Sequence, residues 1–277
     1  MNPDATPSAE ARPLRPRAPG LSFTDPPVPR YWFDGLRHAT LLVDAVNLLF
    51  PKGERFFVRS VVHYLPRIED ASLRAQVRGF AGQEGKHAKA HEDFAAVMET
   101  HGYRMESFMR WYQRIAYDTV ERAAPPALRL ATTAACEHFT AMLAEEALTE
   151  GFLEKMHPAM GRLLRWHAAE EIEHKAVAFD VLRLVAPGYP LRLAGLGLAT
   201  TLLGGFWVAA LVDLHRQDAK LPPAPSREAT AEELAKGPLG VFVRGILDYA
   251  RPSFHPDDQD NRALAAAALQ QLGLEPS

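Results

Sequence analysis

The chain has 277 residues, 47% hydrophobic and 23% charged, with Lys+Arg at 31 against Asp+Glu at 34 and a net charge of -3. This balance supports a substantial buried core in one large or two small domains, and it excludes the strongly basic surface that a nucleic acid partner requires. Its single cysteine, Cys136, excludes an internal disulfide and a multi-cysteine zinc site, and fits a reducing compartment.

Residues 1–30 contain Pro3, Pro7, Pro13, Pro16, Pro19, Pro26, Pro27 and Pro29, too many for a helix or a paired strand, so a disordered leader is predicted. No apolar core follows Met1, so no secretory signal peptide is expected and the location is read as cytoplasmic. Residues 31–187 then read as an all-α bundle. Helical periodicity is broken at Pro51, at Ile68 to Ser72, near Gly102, at Pro125-Pro126 and between Gly151 and Pro158. Residues 188–221 follow as an apolar segment, in which Leu193 to Val212 is an uncharged stretch of about twenty residues, roughly the span of a bilayer. Gly195, Gly197, Gly204 and Gly205 favour a buried fifth helix, whereas the absence of charge between Arg192 and Asp213 favours membrane association. Pro222 to Ser226 reads as a linker, and helices near Ala231 to Tyr249 and Asp260 to Leu272 make a helical tail over 222–277.

The chemistry sits on the core stripes. Leu73, Val77, Phe80, Glu84, His87, His91, Phe94 and Met98 recur at steps of four and three, as do Met160, Leu164, His167, Glu171, His174, Ala178, Val181 and Val185. Each stripe should face inward, yet each carries a Glu-x-x-His pair in its middle. Such a pair places a carboxylate and an imidazole one turn apart on one face. Alone it is common on solvated helices; inside an apolar stripe the charge must be compensated.

A dinuclear metal site in a bundle takes one further Glu from each of the two remaining helices. Glu54 precedes Glu84 by thirty positions and Glu137 precedes Glu171 by thirty-four, and both lie on apolar stripes of their own. Residues at one height in an antiparallel hairpin are equidistant from its turn. The midpoints are Glu69 and Glu154, and both fall inside predicted breaks. The predicted metal ligands are therefore Glu54, Glu84, His87, Glu137, Glu171 and His174. Four carboxylates would be neutralised by two divalent cations, and oxygen with imidazole suits iron or manganese. His91, His167 and Glu170 are candidate catalytic or supporting groups around them. Glu170 also competes with Glu171, being spaced four from His174. Cys136 and His138 point to other faces, and the small Thr133, Thr140 and Ala144 leave room for a substrate.

Gly-Glu-Arg-Phe-Phe around Glu54, Gln-Glu-Gly-Lys-His ending at His87, Cys-Glu-His-Phe-Thr around Glu137 and Glu-Glu-Ile-Glu-His ending at His174 resemble a bacterial family named predicted metal-dependent hydrolases, of the ferritin-like superfamily. The resemblance covers about Tyr31 to Leu221. It implies a ferritin-like four-helix bundle with a long crossover and a di-iron type of site. The superfamily mostly activates oxygen, so an oxidase or oxygenase acting on a small apolar or acyl substrate is the first expectation. Hydrolysis by a metal-bound water is the alternative, and non-catalytic metal binding the third. The partners implied are a small-molecule or acyl substrate and no nucleic acid, with membrane contact through 193–212 and a homodimer both left open.

Overall fold

The computed structural model describes residues 14–230 and 239–277. Among them no β-strand forms, and the class is all-α. Helix α1 (Arg37–Asn47) runs into α2 (Phe50–Val62), where Pro51 occupies the first turn, a position that needs no N–H donor. Asp70 caps α3 (Ala71–Thr100) by accepting from the Leu73 amide at 2.6 Å. Helix α4 (Glu106–Tyr112) continues as a π-helical stretch, Gln113–Glu121, and together they make the crossover. Then come α5 (Pro126–Thr149), α6 (Pro158–His174), α7 (Val177–Val185), α8 (Tyr189–Asp218), α9 (Leu239–Tyr249) and α10 (Arg262–Gln271).

The α2–α3 and α5–α6 hairpins form the four-helix bundle. Their turns, over 63–70 and 150–157, contain the two midpoints. Helix α2 packs on α5, and α3 packs on α6 and α7. The stripe from Met160 to Val185 reads as one helix in the sequence but is broken at Lys175-Ala176. There the buried Lys175 ammonium donates to the Gln259 carbonyl at 2.6 Å and Asn261 Oδ1 at 2.8 Å.

The apolar segment lies along α5 and α1 as the long helix α8. A Cβ on Gly195 would meet the Ala131 backbone carbon at 2.4 Å, so only glycine permits this approach. Trp207 Nε1 donates to the Leu42 carbonyl at 2.8 Å. The inner flank of α8 thus behaves as a fifth bundle helix. Its outer flank leaves Val208 and Val212 exposed. Among the described residues α8 is the one helix long and apolar enough to cross a membrane, a test that buried core helices also pass.

The leader differs from expectation over residues 14–30. Proline forbids helix there but not packing, and glycines on α3 provide the seat. A Cβ on Gly79 would come within 2.5 Å of Leu14 Cβ, and one on Gly82 within 2.4 Å of Pro16 Cγ. Arg17, next in line, is buried. Residues 1–13 of the predicted leader, and 231–238 of the first tail helix, lie outside the described residues.

Candidate metal centre

The bundle stripes carry Glu54 on α2, Glu84 and His87 on α3, Glu137 on α5, and Glu171 and His174 on α6, all buried. Apolar neighbours such as Val61, Phe80 and Leu130 close one end of this polar cluster. The donor atoms form two groups. Glu84, Glu137, Glu171 and His174 offer one atom each within 4.8 Å of one another, and so do Glu54, His87 and His167. His174 Nε2 lies 3.1 Å from Glu84 Oε1, 3.3 Å from Glu137 Oε2 and 3.5 Å from Glu171 Oε1. His87 Nδ1 lies 3.5 Å from Glu171 Oε1 and 3.9 Å from Glu84 Oε2.

These approaches are not hydrogen bonds. Both carboxylate oxygens of Glu54, Glu84 and Glu137, together with His87 Nδ1 and His174 Nε2, are buried without a hydrogen-bond partner. Buried polar atoms are nearly always satisfied, and orphaned carboxylates cost several kcal/mol each. Burial, and then the Glu84 carboxylate, push Glu54 well above the usual carboxylate range and Glu137 up to about 8. Burial would raise Glu171 as well, but the His174 and His167 imidazoles beside it hold it well below that range. A set of mutually opposed carboxylates with two bare imidazole nitrogens fits divalent cations, which would satisfy every orphaned atom at once.

Each imidazole is held from behind. His174 Nδ1 is 3.0 Å from Gln83 Oε1, and His87 Nε2 is 2.9 Å from Glu170 Oε2, so each ring turns its other nitrogen inward. Gln83 Nε2 in turn donates to Glu173 Oε2 at 3.1 Å. Arg17 joins the two supports: its Nη1 donates to Glu170 at 2.9 Å and to Glu173 at 2.7 Å. Residues near Ser277 complete this face, since Arg17 Nε donates to the Glu275 carbonyl at 2.6 Å and the Ser277 amide donates to Glu173 at 2.8 Å.

The three supporting candidates separate on geometry. Glu170 is turned toward His87 and Arg17 and belongs to neither donor group, whereas Glu171 belongs to one. His91 also stands outside the two donor groups. Its Nδ1 is 2.6 Å from Asn47 Oδ1 and its Nε2 is 2.7 Å from His167 Nδ1. Asn47 Nδ2 is directed at the His91 carbonyl, 3.4 Å away, which leaves Oδ1 as the acceptor. His91 therefore donates from Nδ1. His167 Nε2 lies within hydrogen-bond distance of Glu171 Oε1, at 2.8 Å, and 3.7 Å from Glu54 Oε1. His167 thus has the position of a seventh donor. Of the three, His91 and Glu170 stand behind members of the donor groups, in contact with His167 and His87.

The sequence pattern assigns no role to Arg17, Asn47, Gln83 or Glu173. Gln83 and Glu173 had a faint signal, as polar residues adjoining the Glu-x-x-His pairs; Arg17 and Asn47 had none. Cys136 is buried and packs among apolar side chains, and His138 Nε2 lies 3.0 Å from the Gly245 carbonyl. Thr140 and Ala144 line a cleft of about 610 Å³ that ends on His167 and Glu171. Thr133 is not among its lining residues.

Residues 15–260 match the family described as predicted metal-dependent hydrolase. The chain belongs to this family. No curated protein and no solved structure matches the chain. The predicted metal-dependent hydrolase family agrees with the buried donor set in requiring metal, and it favours hydrolysis over the oxygen activation expected first.

Proposed function

We propose that this protein is a dinuclear-metal hydrolase whose site lies inside the bundle. The convergence of orphaned donors from four helices carries this reading. One ion would be held by Glu84, Glu137, Glu171 and His174, and the other by Glu54, His87 and His167, with Glu171 within reach of His87 and His167 as well. Oxygen-rich coordination with imidazole suits manganese or iron. Two such ions supply Lewis acidity, polarising a scissile carbonyl and lowering the pKa of water.

The protein's own contribution is preorganisation. Gln83, Glu170 and His91 hold His174, His87 and His167 by their remote nitrogens, so no ring reorients during turnover. Phe50 covers the His91 and His167 rings at centroid distances of 4.8 and 4.9 Å and excludes water from that side. In hydrolysis the water oxygen bonds to the carbonyl carbon, the bond to the leaving group breaks, and the leaving group takes the water's proton. Thr140 and Ala144 leave space beside Glu171 for that carbonyl.

The test is metal loading of the purified protein followed by assays for both chemistries. Manganese- or iron-dependent cleavage of an ester or amide, without oxygen consumption, is expected. Rapid oxygen uptake by the ferrous-loaded protein, with no hydrolytic turnover, would overturn the reading.

A further inference from the structure

The cleft that ends on His167 and Glu171 is apolar along its length. It runs between α1, α5 and α6, with Trp207 and Val241 contributing from α8 and α9. Leu36 at the start of α1, then Ala39, Val43 and Val46, continued by Phe50, follow one helical face; the fourteen steps from 36 to 50 make a wall roughly 20 Å long. On α5 the opposite wall begins at Thr140, one turn past Glu137, and continues through Ala144 to Ala147. Among the described residues, ionisable lining residues occur at two places: His167 and Glu171 at the buried inner end, and Glu146 with the exposed Lys155 at the rim.

Two features point to an occupant. Leu42, Val43, Phe50, Leu143, Phe152 and Leu164 are only half-buried although they face into the molecule, so the cleft keeps a continuous apolar surface that nothing in the described residues covers. The room comes from alanines, Ala39, Ala144, Ala147 and Ala168, at positions where larger residues would close it. A cleft of this volume, apolar along its walls and polar at one buried end, matches a ligand of the same polarity pattern.

We infer that the cleft binds the linear hydrocarbon chain of an acyl ester or amide, with the carbonyl end inward at Glu171 and His167 and the chain laid along the α1 stripe. The assignment of the carbonyl as the group cleaved rests on the hydrolase reading; the binding of the chain does not.

The experiment uses the manganese-loaded full chain, with dansyl-undecanoic acid as binding probe and nitrophenyl acetate, octanoate and dodecanoate as substrates. Trp207 lines the cleft, so energy transfer from tryptophan to the dansyl group reports occupancy. Binding displaced by dodecanoate is expected, along with a preference for octanoate over acetate in kcat/KM of about 100-fold, since each buried methylene adds a few-fold. Val43→Phe and Ala147→Phe fill the cleft from two helices, so a folding failure in one leaves the other informative. Each should weaken the probe by ~10-fold or more and flatten the chain-length preference. Probe binding without turnover of any ester supports the cleft and removes the hydrolase reading. Acetate turnover with no chain-length preference and no probe binding does the reverse. Probe affinity unchanged in both variants also overturns the cleft assignment.

Discussion

Arg17 and Glu170 form an ion pair of 2.9 Å between side chains only 7% and 0% exposed, and the other oxygen of Glu170 faces His87 Nε2 at 2.9 Å. A guanidinium from outside the bundle thus fixes the carboxylate that orients the His87 imidazole, a candidate metal donor. Removing it leaves Glu170 buried without its cation. Arg17→Met should lower metal affinity by ~10–100-fold, the usual cost of losing a ligand's support, with Arg17→Lys intermediate because one ammonium cannot span Glu170 and Glu173 as a fork does. Titration with cobalt, followed by its visible absorption, measures this; affinities equal to the parent's would show that the pair is only structural.

His167 and His91 are separable by stoichiometry. His167→Ala removes a donor from the group with Glu54 and His87, so metal analysis after gel filtration should find close to one ion per chain, while His91→Ala should keep two ions with weaker binding at one of them. Full occupancy in His167→Ala would return that residue to a supporting role.

Glu84 faces both donor groups, 3.1 Å from His174 and 3.9 Å from His87. Glu84→Ala should therefore abolish the binding of two metals. If two ions per chain remain, the whole ligand assignment is wrong.

Asp44 gives a pH dependence away from the ligands. It is buried, accepts from Trp32 Nε1 at 2.9 Å, and burial pushes its carboxyl up to about 8 from an ordinary 3.8. A raised folded-state pKa means that its stabilising contribution is complete below 3.8 and is lost as pH rises toward 8. Asp44→Asn keeps an acceptor for Trp32 and does not ionise. Its melting temperature should exceed the parent's at alkaline pH, by the equivalent of on the order of 2–4 kcal/mol, and the gap should close at acid pH. Parallel melting curves across that window would rule out the buried charge.

The tight crossing of α8 on α5 is equally exposed to test. Gly195→Val places a side chain where the Ala131 backbone lies, so thermal unfolding should show a loss of ~1–3 kcal/mol or more. Gly197→Val, which meets nothing within 4 Å, is the matched control.

The bundle and the six inward donors were legible because periodicity and the spacing to a turn are local properties of a sequence. Glu84 and His87 betray themselves by interrupting an apolar stripe. The role of His167 was not legible, since the same stripe places it inside whether it faces a metal or supports a ligand. His167 is reached through His91 on α3 and Asn47 on α1, both far from it in sequence. Arg17 was hidden for a related reason. Its proline-rich surroundings exclude helix and strand, but the seat for them is a pair of glycines on α3 together with Glu170 and Glu173 on α6, a match visible only in three dimensions. The break after His174 was likewise missed because Lys175 finds its partners at Gln259 and Asn261.

Each of the two hairpins supplies a Glu and a Glu-x-x-His, with His167 added from α6, and the two meet inside the bundle. A pair of ions there would act as a staple between chain segments as far apart as Glu54 and His174. Losing the ions would then be felt by the whole molecule, because every ligand helix would have to re-solvate or re-protonate its carboxylates together. Hydrogen exchange in α2, α3, α5 and α6 should consequently speed up as one cooperative unit when metal is withdrawn, and protein recovered under metal starvation should be depleted in folded yield before it is depleted in specific activity.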